Sequence, residues 1–257
     1  MKPRSIYVGG VIGRYFEPDN VGSILRLLRR PEVADWKPRF NDADVHRGRS
    51  QCASEFLLTS NAEVLIQIDS DIVFNPEDAV RICEAAIEHD VVGGVYVTRG
   101  SGKYCYPTSL PYNDRRVEFG NDPTPVKYRY VAGGFHAVHR RVFEKLALDE
   151  ERMPLLNEDE PNGRFYPFYL GTWTIGESGK KTYLSEDWAL SYRAREAGFG
   201  VFIDPSVRLL HLGMNPFRLE DMLTEPLPTQ WLALTRHQGG LYKREALQDP
   251  ALAGVPA

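Results

Sequence analysis

The chain has 257 residues, of which 42% are hydrophobic and 26% charged; this composition is typical of a globular protein and excludes a disordered one. A formal net charge of -4 gives no overall attraction to nucleic acid or anionic membranes. No apolar stretch approaches the roughly 20 residues that span a bilayer, and no signal-peptide pattern is visible. The three cysteines lack metal-ligand spacing, so we expect a soluble, cytoplasmic protein with reduced thiols.

Strand and helix patterns alternate through the first hundred residues. The sequence predicts strands at 6–8, 36–40, 64–68 and 91–97, and helices at 19–30, 49–58 and 76–89. The last of these helices has the clearest start, because Asn75 precedes it as an N-cap and Pro76 takes its first position. This alternation indicates an α/β fold with a central, mostly parallel sheet flanked by helices.

The second half of the chain has weaker patterns. Further elements are predicted as a strand at 128–132, a short element and then a helix within 137–146, a helix at 185–197 and a strand at 200–203. Residues 100–127 are predicted to be loops or a short hairpin, and residues 149–180 a long functional loop. Beyond residue 213 we expect a looser extension with an apolar helical segment near Trp231 and a flexible end.

Two carboxylates follow the predicted buried strand 64–68 directly. Asp69 and Asp71 would be costly at the end of such a strand unless something pairs with them. Their i, i+2 spacing suits one octahedral cation, and Mg²⁺ and Mn²⁺ prefer oxygen ligands that they share with phosphates. The pattern therefore indicates a divalent cation that holds a nucleoside diphosphate. The alternative is an acidic turn that caps the following helix.

Four further features are candidates for the same site, and each has a purely structural alternative. Glu186-Asp187 opens a helix, where acids stabilise the dipole or deprotonate an acceptor hydroxyl. His211 lies among leucines, as a core residue or a third metal ligand. Arg49 starts a helix, either in a solvated turn or in contact with a nucleotide or the carboxylate pair. Gly133-Gly134 forms a tight turn or lets a substrate approach the backbone.

Taken in order, these motifs resemble those of the GT-A-fold glycosyltransferases, in particular the family-2-like group with D-x-D and E-D motifs. The resemblance spans about residues 5–213, and its most specific part is 185–213. The motifs that carry it are Asp69-Ser70-Asp71, Gly133-Gly134-Phe135, Ser185-Glu186-Asp187, Arg193-Ala194-Arg195-Glu196-Ala197-Gly198-Phe199, Asp204-Pro205 and His211-Leu212-Gly213. The usual first-strand signature Pro-Thr-Tyr-Asn is replaced here by Gly9-Gly10-Val11-Ile12-Gly13-Arg14.

The resemblance implies a single GT-A (Rossmann-like) domain over residues 1–213, followed by a partly helical extension at 214–257. It implies a role for each candidate residue, in three groups. Metal ligands for Mn²⁺ or Mg²⁺ would be Asp69, Asp71 and His211; the base of an inverting reaction would be Asp187, with Glu186 beside it; donor contacts would come from Gly9, Gly10, Arg49, Asp69, Gly133 and Gly134.

The expected activity is metal-dependent transfer of a sugar from a UDP- or GDP-sugar to an acceptor hydroxyl. The acceptor stays open between a saccharide, a protein, a lipid-linked sugar and a modified nucleobase, with residues 149–180 as the acceptor-side loop. One alternative is a sugar-1-phosphate nucleotidyltransferase, because residues 9–14 resemble its Gly-rich loop. The other is a non-catalytic sugar- or nucleotide-binding module whose exposed aromatic side chains stack on sugars: Tyr166, Phe168, Tyr169 and Trp173.

Overall fold

The computed structural model of the chain describes residues 5–12, 16–40, 44–99, 105–160, 163–176, 179–213, 218–219, 232–237 and 242–247. Its helices are α1 Pro18–Leu27, α2 Val45–Thr59, α3 Pro76–His89, α4 Arg140–Ala147 and α5 Glu186–Glu196. Its strands are β1 Ile6–Ile12, β2 Val33–Phe40, β3 Val64–Ile68, β4 Ile72–Val73, β5 Val91–Gly93, β6 Arg116–Phe119, β7 Val126–Lys127, β8 Phe135–His139, β9 Thr172–Ile175, β10 Lys181–Leu184, β11 Val201–Ile203, β12 Leu210–His211, β13 Leu232–Arg236 and β14 Tyr242–Ala246.

Seven strands form the central sheet, in the order β2-β1-β3-β8-β5-β11-β7. Strands β2, β1, β3, β5 and β11 run in one direction, and β8 and β7 run in the other. The predicted α/β fold with a mostly parallel central sheet is therefore confirmed. Because β1 and β3 are parallel neighbours, their carboxyl ends meet at one edge of the sheet, where ligands bind in open α/β folds.

Helices cover both faces of this sheet. Alternate residues of β1 point to opposite faces, so Tyr7 packs in one hydrophobic cluster and Val8 in another. The Tyr7 cluster contains residues of α2, α4 and α5, whereas the Val8 cluster contains residues of α1 and α3. Burial on both faces explains why β1 and β3 lack polar alternation in the sequence. No described helix has the length and apolar character needed to cross a bilayer.

The predicted strand at 128–132 is wrong, and the strand lies at β8 instead. Residues 128–132 are buried, but side chains satisfy part of their backbone: the Ser191 hydroxyl accepts a hydrogen bond from Val131 N–H, and Ser109 accepts one from Ala132 N–H. A buried apolar run can therefore avoid a ladder where hydroxyl groups pair with it. The strand predicted at 91–97 is shorter than expected, because β5 ends at Gly93.

Three predicted irregular regions contain strands. The 100–127 region holds β6, which pairs with β13, and β7, which pairs with β11, so it is not a hairpin. The 149–180 loop contains β9, which pairs with β10. Trp231 lies outside the described residues, but the segment directly after it forms strand β13, where a helix was expected. Residues 232–234 are buried against β6, and the division of the chain at residue 213 stays a prediction.

Candidate active site

The turn at Gly133-Gly134 brings the two acidic motifs together. Asp69, at the carboxyl end of β3, donates its backbone N–H to the Gly134 carbonyl at 2.9 Å. On the other side of the same turn, Gly133 N–H donates to Asp187 Oδ2 at 2.9 Å. Two acidic residues from distant parts of the chain thus bond to adjacent glycines, Asp69 through its backbone and Asp187 through its carboxylate. The pairing of β3 with β8 fixes this turn, since β8 begins at Phe135 and pairs with Ile68.

Only glycine fits at both positions of the turn. A Cβ atom at Gly133 would lie 2.8 Å from Cζ of Arg49. A Cβ atom at Gly134 would lie 2.5 Å from the Tyr96 hydroxyl and 3.0 Å from Asp69 Oδ2. The glycines therefore let functional side chains approach the backbone closely.

Replacing Gly134 by alanine is expected to destabilise the protein and disturb Asp69. Overpacking of this kind costs about 1–3 kcal/mol, and the clash is with Tyr96, so Tyr96→Phe should recover part of the loss. Urea unfolding measures both effects. Gly22→Ala is the matched control, because a Cβ there meets only Arg26 at 3.4 Å and alanine favours the helix. Equal stability of Gly134→Ala and Gly22→Ala would contradict the close packing.

Arg49 is a buried cation between the two acidic motifs. Its side chain is 3% exposed, and its Nη2 lies 2.7 Å from Asp69 Oδ1 and 3.0 Å from Oδ2. Its Nε lies 3.8 Å from Glu186 Oε1, and its Nη1 donates to the Gly133 carbonyl at 2.6 Å. Burial lowers the pKa of Arg49, but the charges of Asp69 and Glu186 outweigh this and raise it above its ordinary value. Arg49 was predicted to contact either a nucleotide or carboxylates, and in the structure it contacts the carboxylates of Asp69 and Glu186.

Asp71 and His211 face each other across the pairing of β4 with β12. The Val97 carbonyl lies 2.7 Å from Nδ1 of His211, and because a carbonyl only accepts, Nδ1 carries the proton. Burial lowers the pKa of His211, so the ring is neutral and Nε2 keeps a lone pair, 3.6 Å from Asp71 Oδ2. Arg99 pairs with the same Oδ2. The other oxygen of Asp71 is buried without a hydrogen-bond partner among the described residues.

The donor set of this pair suits a divalent cation. Two lone-pair donors that face each other without a proton between them are typical of metal ligands, and imidazole and carboxylate both serve Mn²⁺. The third predicted ligand, Asp69, is turned towards Arg49 instead. Within the described ranges, no three His, Cys, Asp or Glu side chains form a group that could hold a metal. Mg²⁺ needs only one or two carboxylates when phosphates complete its shell, so Asp71 and His211 fit the protein's share of such a site.

Asp187 is held rigidly at the start of α5. Besides Gly133, the Ser185 hydroxyl donates to its Oδ1 at 2.8 Å, and Trp188 N–H donates to the same oxygen at 2.7 Å. Ser185 precedes the helix as predicted, but its side chain bonds to Asp187 and not to the helix backbone. The three donors fix the orientation of the Asp187 carboxylate, which accepts from all of them.

Glu186 differs from Asp187 in its environment. Burial, and then the charge of Asp187, raise the pKa of Glu186, although Arg49 opposes them. Its Oε2 lies 3.6 Å from Nε2 of His46. Glu186 therefore keeps its proton to a higher pH than an exposed glutamate does.

His136 and Tyr96 are site residues that sequence reasoning missed. His136 is buried; its Nδ1 lies 2.9 Å from the Gly133 carbonyl, and the Tyr169 hydroxyl lies 2.8 Å from its Nε2. Gly134 N–H donates to the Tyr96 hydroxyl at 2.9 Å. The position of His136 two residues after the glycine pair was a usable signal, whereas the buried strand pattern around Tyr96 gave none.

The protein is expected to lose stability in acid through His136. Burial, and then the charge of Arg49, lower the pKa of His136 from 6.5 to about 3. Below pH 6.5 the His136 imidazole is protonated in the unfolded chain but stays neutral in the native state. The free energy of unfolding therefore falls as the pH drops from 6.5 towards 3. The free energy of unfolding falls by roughly 5 kcal/mol in total, since each pKa unit of the shift corresponds to about 1.36 kcal/mol. Urea unfolding across this range should show a steeper fall for wild type than for His136→Gln; parallel curves would contradict a neutral buried His136.

Gly9 and Gly10 lie inside β1, not in a phosphate-binding loop. A Cβ atom at Gly9 would collide with the Cys52 sulfur, and one at Gly10 with the Ile68 carbonyl oxygen. Close packing of β1 on α2 and β3 thus explains both glycines, and donor contact by them stays a prediction. Gly13 and Arg14, which belong to the same predicted segment, lie outside the described residues.

The predicted row of exposed aromatic residues is wrong in part. Phe168 and Tyr169 are fully buried and pack in the hydrophobic core with Phe143. Tyr166 is half-buried and packs against Phe168. Only Trp173 of the four is exposed, because the segment before β9 folds under α2 and α5 while β9 itself lies at the surface.

No protein-family profile and no curated protein matches the sequence. Among solved structures, the chain is similar to A197 from STIV, with 13% identity and a TM-score of 0.49 over 80% of this chain and 85% of that one. The chain is also similar to GalNAc-T7 with UDP, GalNAc and Mn²⁺, with 14% identity and a TM-score of 0.48. This match covers 87% of this chain and 45% of that one. For the inositol-1-phosphate CTP transferase from T. maritima, the identity is 12% and the TM-score 0.39, over 86% of this chain and 93% of that one. Likeness at this level carries no functional argument.

Proposed function

We propose that this protein is a metal-dependent glycosyltransferase that moves a sugar from a nucleoside-diphosphate sugar to an acceptor hydroxyl with inversion. The observation that carries the proposal is the shared turn: the Asp69 backbone N–H bonds to Gly134, and the Asp187 carboxylate bonds to the preceding Gly133. Inverting sugar transfer needs a site for a charged diphosphate and a base a few ångströms from the same anomeric carbon. Two carboxylate motifs held by one turn suit these two roles.

The donor half of the proposed site lies at the carboxyl ends of β1 and β3. Asp71 and His211 would hold Mn²⁺ or Mg²⁺, with Asp69 nearby, and the bound cation would neutralise charge on the departing diphosphate. Arg49 fixes Asp69 through its Nη2 atom, which contacts both carboxylate oxygens. Arg99 on Asp71 supplies positive charge at the same edge, which favours a UDP- or GDP-sugar over a neutral ligand.

The acceptor half of the proposed site is the start of α5. Asp187 takes the proton of the acceptor hydroxyl while that oxygen bonds to the anomeric carbon and the carbon–oxygen bond to the diphosphate breaks. The donors Ser185, Trp188 and Gly133 orient the carboxylate for this step. Glu186 lies beside it and contacts Arg49, which links the acceptor half to the donor half.

A calorimetric binding screen tests the proposal. We expect one of UDP, GDP, CDP and dTDP to bind with Mn²⁺ and to bind at least tenfold more weakly without it, a change of about 1.4 kcal/mol. Asp71→Ala should abolish the metal dependence. Asp19→Ala, an exposed acid on α1, is the matched control and should bind as wild type. Binding of none of the four, with or without metal, would contradict the proposed donor site.

A further inference from the structure

The strand pair β9–β10 presents its apolar side chains to solvent. In the register of this pair, Trp173 lies opposite Tyr183 and Ile175 opposite Lys181, so these four residues share one face. Trp173 is 58% exposed, Ile175 55% and Tyr183 65%. We call these four residues the β9–β10 face. The opposite face holds Thr172, Thr174, Thr182 and Leu184, of which Leu184 is buried, Thr172 and Thr174 are partly buried and Thr182 is exposed.

This arrangement inverts the ordinary pattern of a surface strand pair. An antiparallel sheet with one solvated face places apolar residues inwards and polar ones outwards. Here the partly buried residues of β9 are two threonines, whereas a tryptophan, a tyrosine and an isoleucine are exposed on the other side. Folding gains little from these exposed rings, so the pattern indicates a surface that binds something.

The β9–β10 face is held in a fixed orientation. Arg193 of α5 donates from Nη1 to the carbonyls of Leu170, at 2.6 Å, and Phe168, at 3.1 Å, and so anchors the chain that enters β9. The Tyr183 ring lies over Gly171, where a Cβ atom would collide with its hydroxyl. The Lys181 ammonium lies 5.0 Å from the centre of the Trp173 ring. Rigid rings lose little conformational entropy on binding.

A groove of about 940 Å³ adjoins the Trp173 end of this face, within the size range of ligand sites. Its lining mixes apolar surface from Leu148 and Met153 with basic Arg152 and acidic Asp149 and Glu196. Hydrogen-bond donors and acceptors thus alternate beside an exposed ring. That combination matches a saccharide, whose rings have apolar C–H faces and hydroxyl groups at their edges.

We infer that the β9–β10 face and the adjoining groove bind a saccharide chain, the acceptor of the transfer reaction. The role of this saccharide as acceptor rests on the proposed function, whereas saccharide binding itself does not. The covalent path supports it, because β10 ends at Leu184 and the next three residues are Ser185, Glu186 and Asp187. An acceptor chain stacked on Trp173 and Tyr183 would lie beside the strand that leads directly to the proposed base.

A membrane surface is the competing ligand, because an anionic bilayer attracts clusters of basic residues, and Lys145, Arg152 and Arg193 line the groove. Acidic Asp149 and Glu196 lie in the same groove, so its charge is mixed, which suits a hydroxyl-rich chain that bonds to both donors and acceptors. Vesicles therefore serve as the competing outcome in the test.

The test uses the full chain on an array of defined oligosaccharides, followed by calorimetric titration of the strongest ligand found. Trp173→Ala and Tyr183→Ala should each weaken binding about tenfold, the size of one lost stacking contact. Trp173→Phe and Tyr183→Phe should retain most of it, because a ring remains. Thr182→Ala, on the opposite face of the same strands, is the matched control and should bind as wild type. Equal thermal stability of all variants confirms that the strands remain folded.

Nucleotide binding is measured on the same samples, which separates this inference from the proposed function. Loss of oligosaccharide binding with unchanged nucleotide binding supports the acceptor surface. No oligosaccharide binding by wild type, or unchanged binding by both alanine variants, overturns it. Binding to phosphatidylserine vesicles that Trp173→Ala abolishes, without oligosaccharide binding, also overturns it. Oligosaccharide binding by a protein that binds no nucleotide would retain the surface and reject the transferase.

Discussion

Asp187→Asn is expected to lower the kcat of sugar transfer by about 10²–10⁴-fold, the contribution of a positioned general base. The amide keeps the size of the side chain but cannot take up a proton. Its single oxygen replaces only one of the two carboxylate oxygens, so it can accept either from Gly133 N–H or from the Ser185 hydroxyl and Trp188 N–H. Nucleotide binding should be unchanged, because Asp187 lies on the acceptor side of the turn. Steady-state kinetics with a donor sugar and calorimetry with the nucleotide measure the two properties separately.

Glu186→Gln is the matched comparison for this prediction. Glu186 adjoins Asp187 and has a raised pKa, so loss of its charge should reduce kcat less than loss of the Asp187 charge. If Glu186→Gln causes the larger loss, the base is Glu186, and the three donors on Asp187 define a positioning residue instead. Equal, small losses in both variants would reject an inverting mechanism with a carboxylate base.

Arg49→Met is expected to destabilise the protein by about 3–5 kcal/mol, the cost of breaking a buried ion pair by removing one partner. Methionine fills a similar volume but leaves the Asp69 carboxylate without its charged donor and the Gly133 carbonyl without its 2.6 Å donor. Arg49→Lys should cost less, since an ammonium restores the charge but not the two separate nitrogens that contact Asp69 and the Gly133 carbonyl. Urea unfolding at neutral pH measures both losses.

Arg26→Met is the control for the Arg49 variants. Arg26 is an exposed residue of α1 with one side-chain bond to Ser23, and loss of such a contact changes stability by less than about 0.5 kcal/mol. A loss at Arg49 no larger than the loss at Arg26 would contradict the role of Arg49 as the cation between the two acidic motifs.

Local signals predicted the elements that carry the carboxylates. Helix α3 runs over residues 76–89 as predicted, because Asn75 caps it, accepting from Glu77 N–H, and Pro76 fits its first turn. Strand β3 was visible as a run with four apolar residues out of five, which is typical of a strand covered on both faces. The placement of Asp69 after β3 and of Asp187 at the start of α5 followed from these boundaries.

Sequence patterns could not predict the contacts between these elements. Nothing local indicates that Arg49 reaches both Asp69 and Glu186, since those contacts depend on how α2 packs across the edge of the sheet. For the same reason, Phe168 and Tyr169 were taken for exposed residues, although they complete the core under α2 and α4. The predicted metal ligands illustrate the same limit: Asp71 and His211 lie 3.6 Å apart, whereas Asp69 pairs with Arg49, and metal binding stays a prediction.

The central claim is that two carboxylate motifs on one turn transfer a sugar from a nucleoside-diphosphate donor. Its most direct test is an analysis of products from two incubations with Mn²⁺, one with a UDP- or GDP-sugar and an oligosaccharide, the other with a sugar 1-phosphate and a nucleoside triphosphate. We predict a free nucleoside diphosphate and an extended oligosaccharide from the first, both lost in Asp187→Asn, and no pyrophosphate from the second. Pyrophosphate and a nucleotide sugar from the second incubation, with no diphosphate release from the first, would contradict the claim and identify a nucleotidyltransferase.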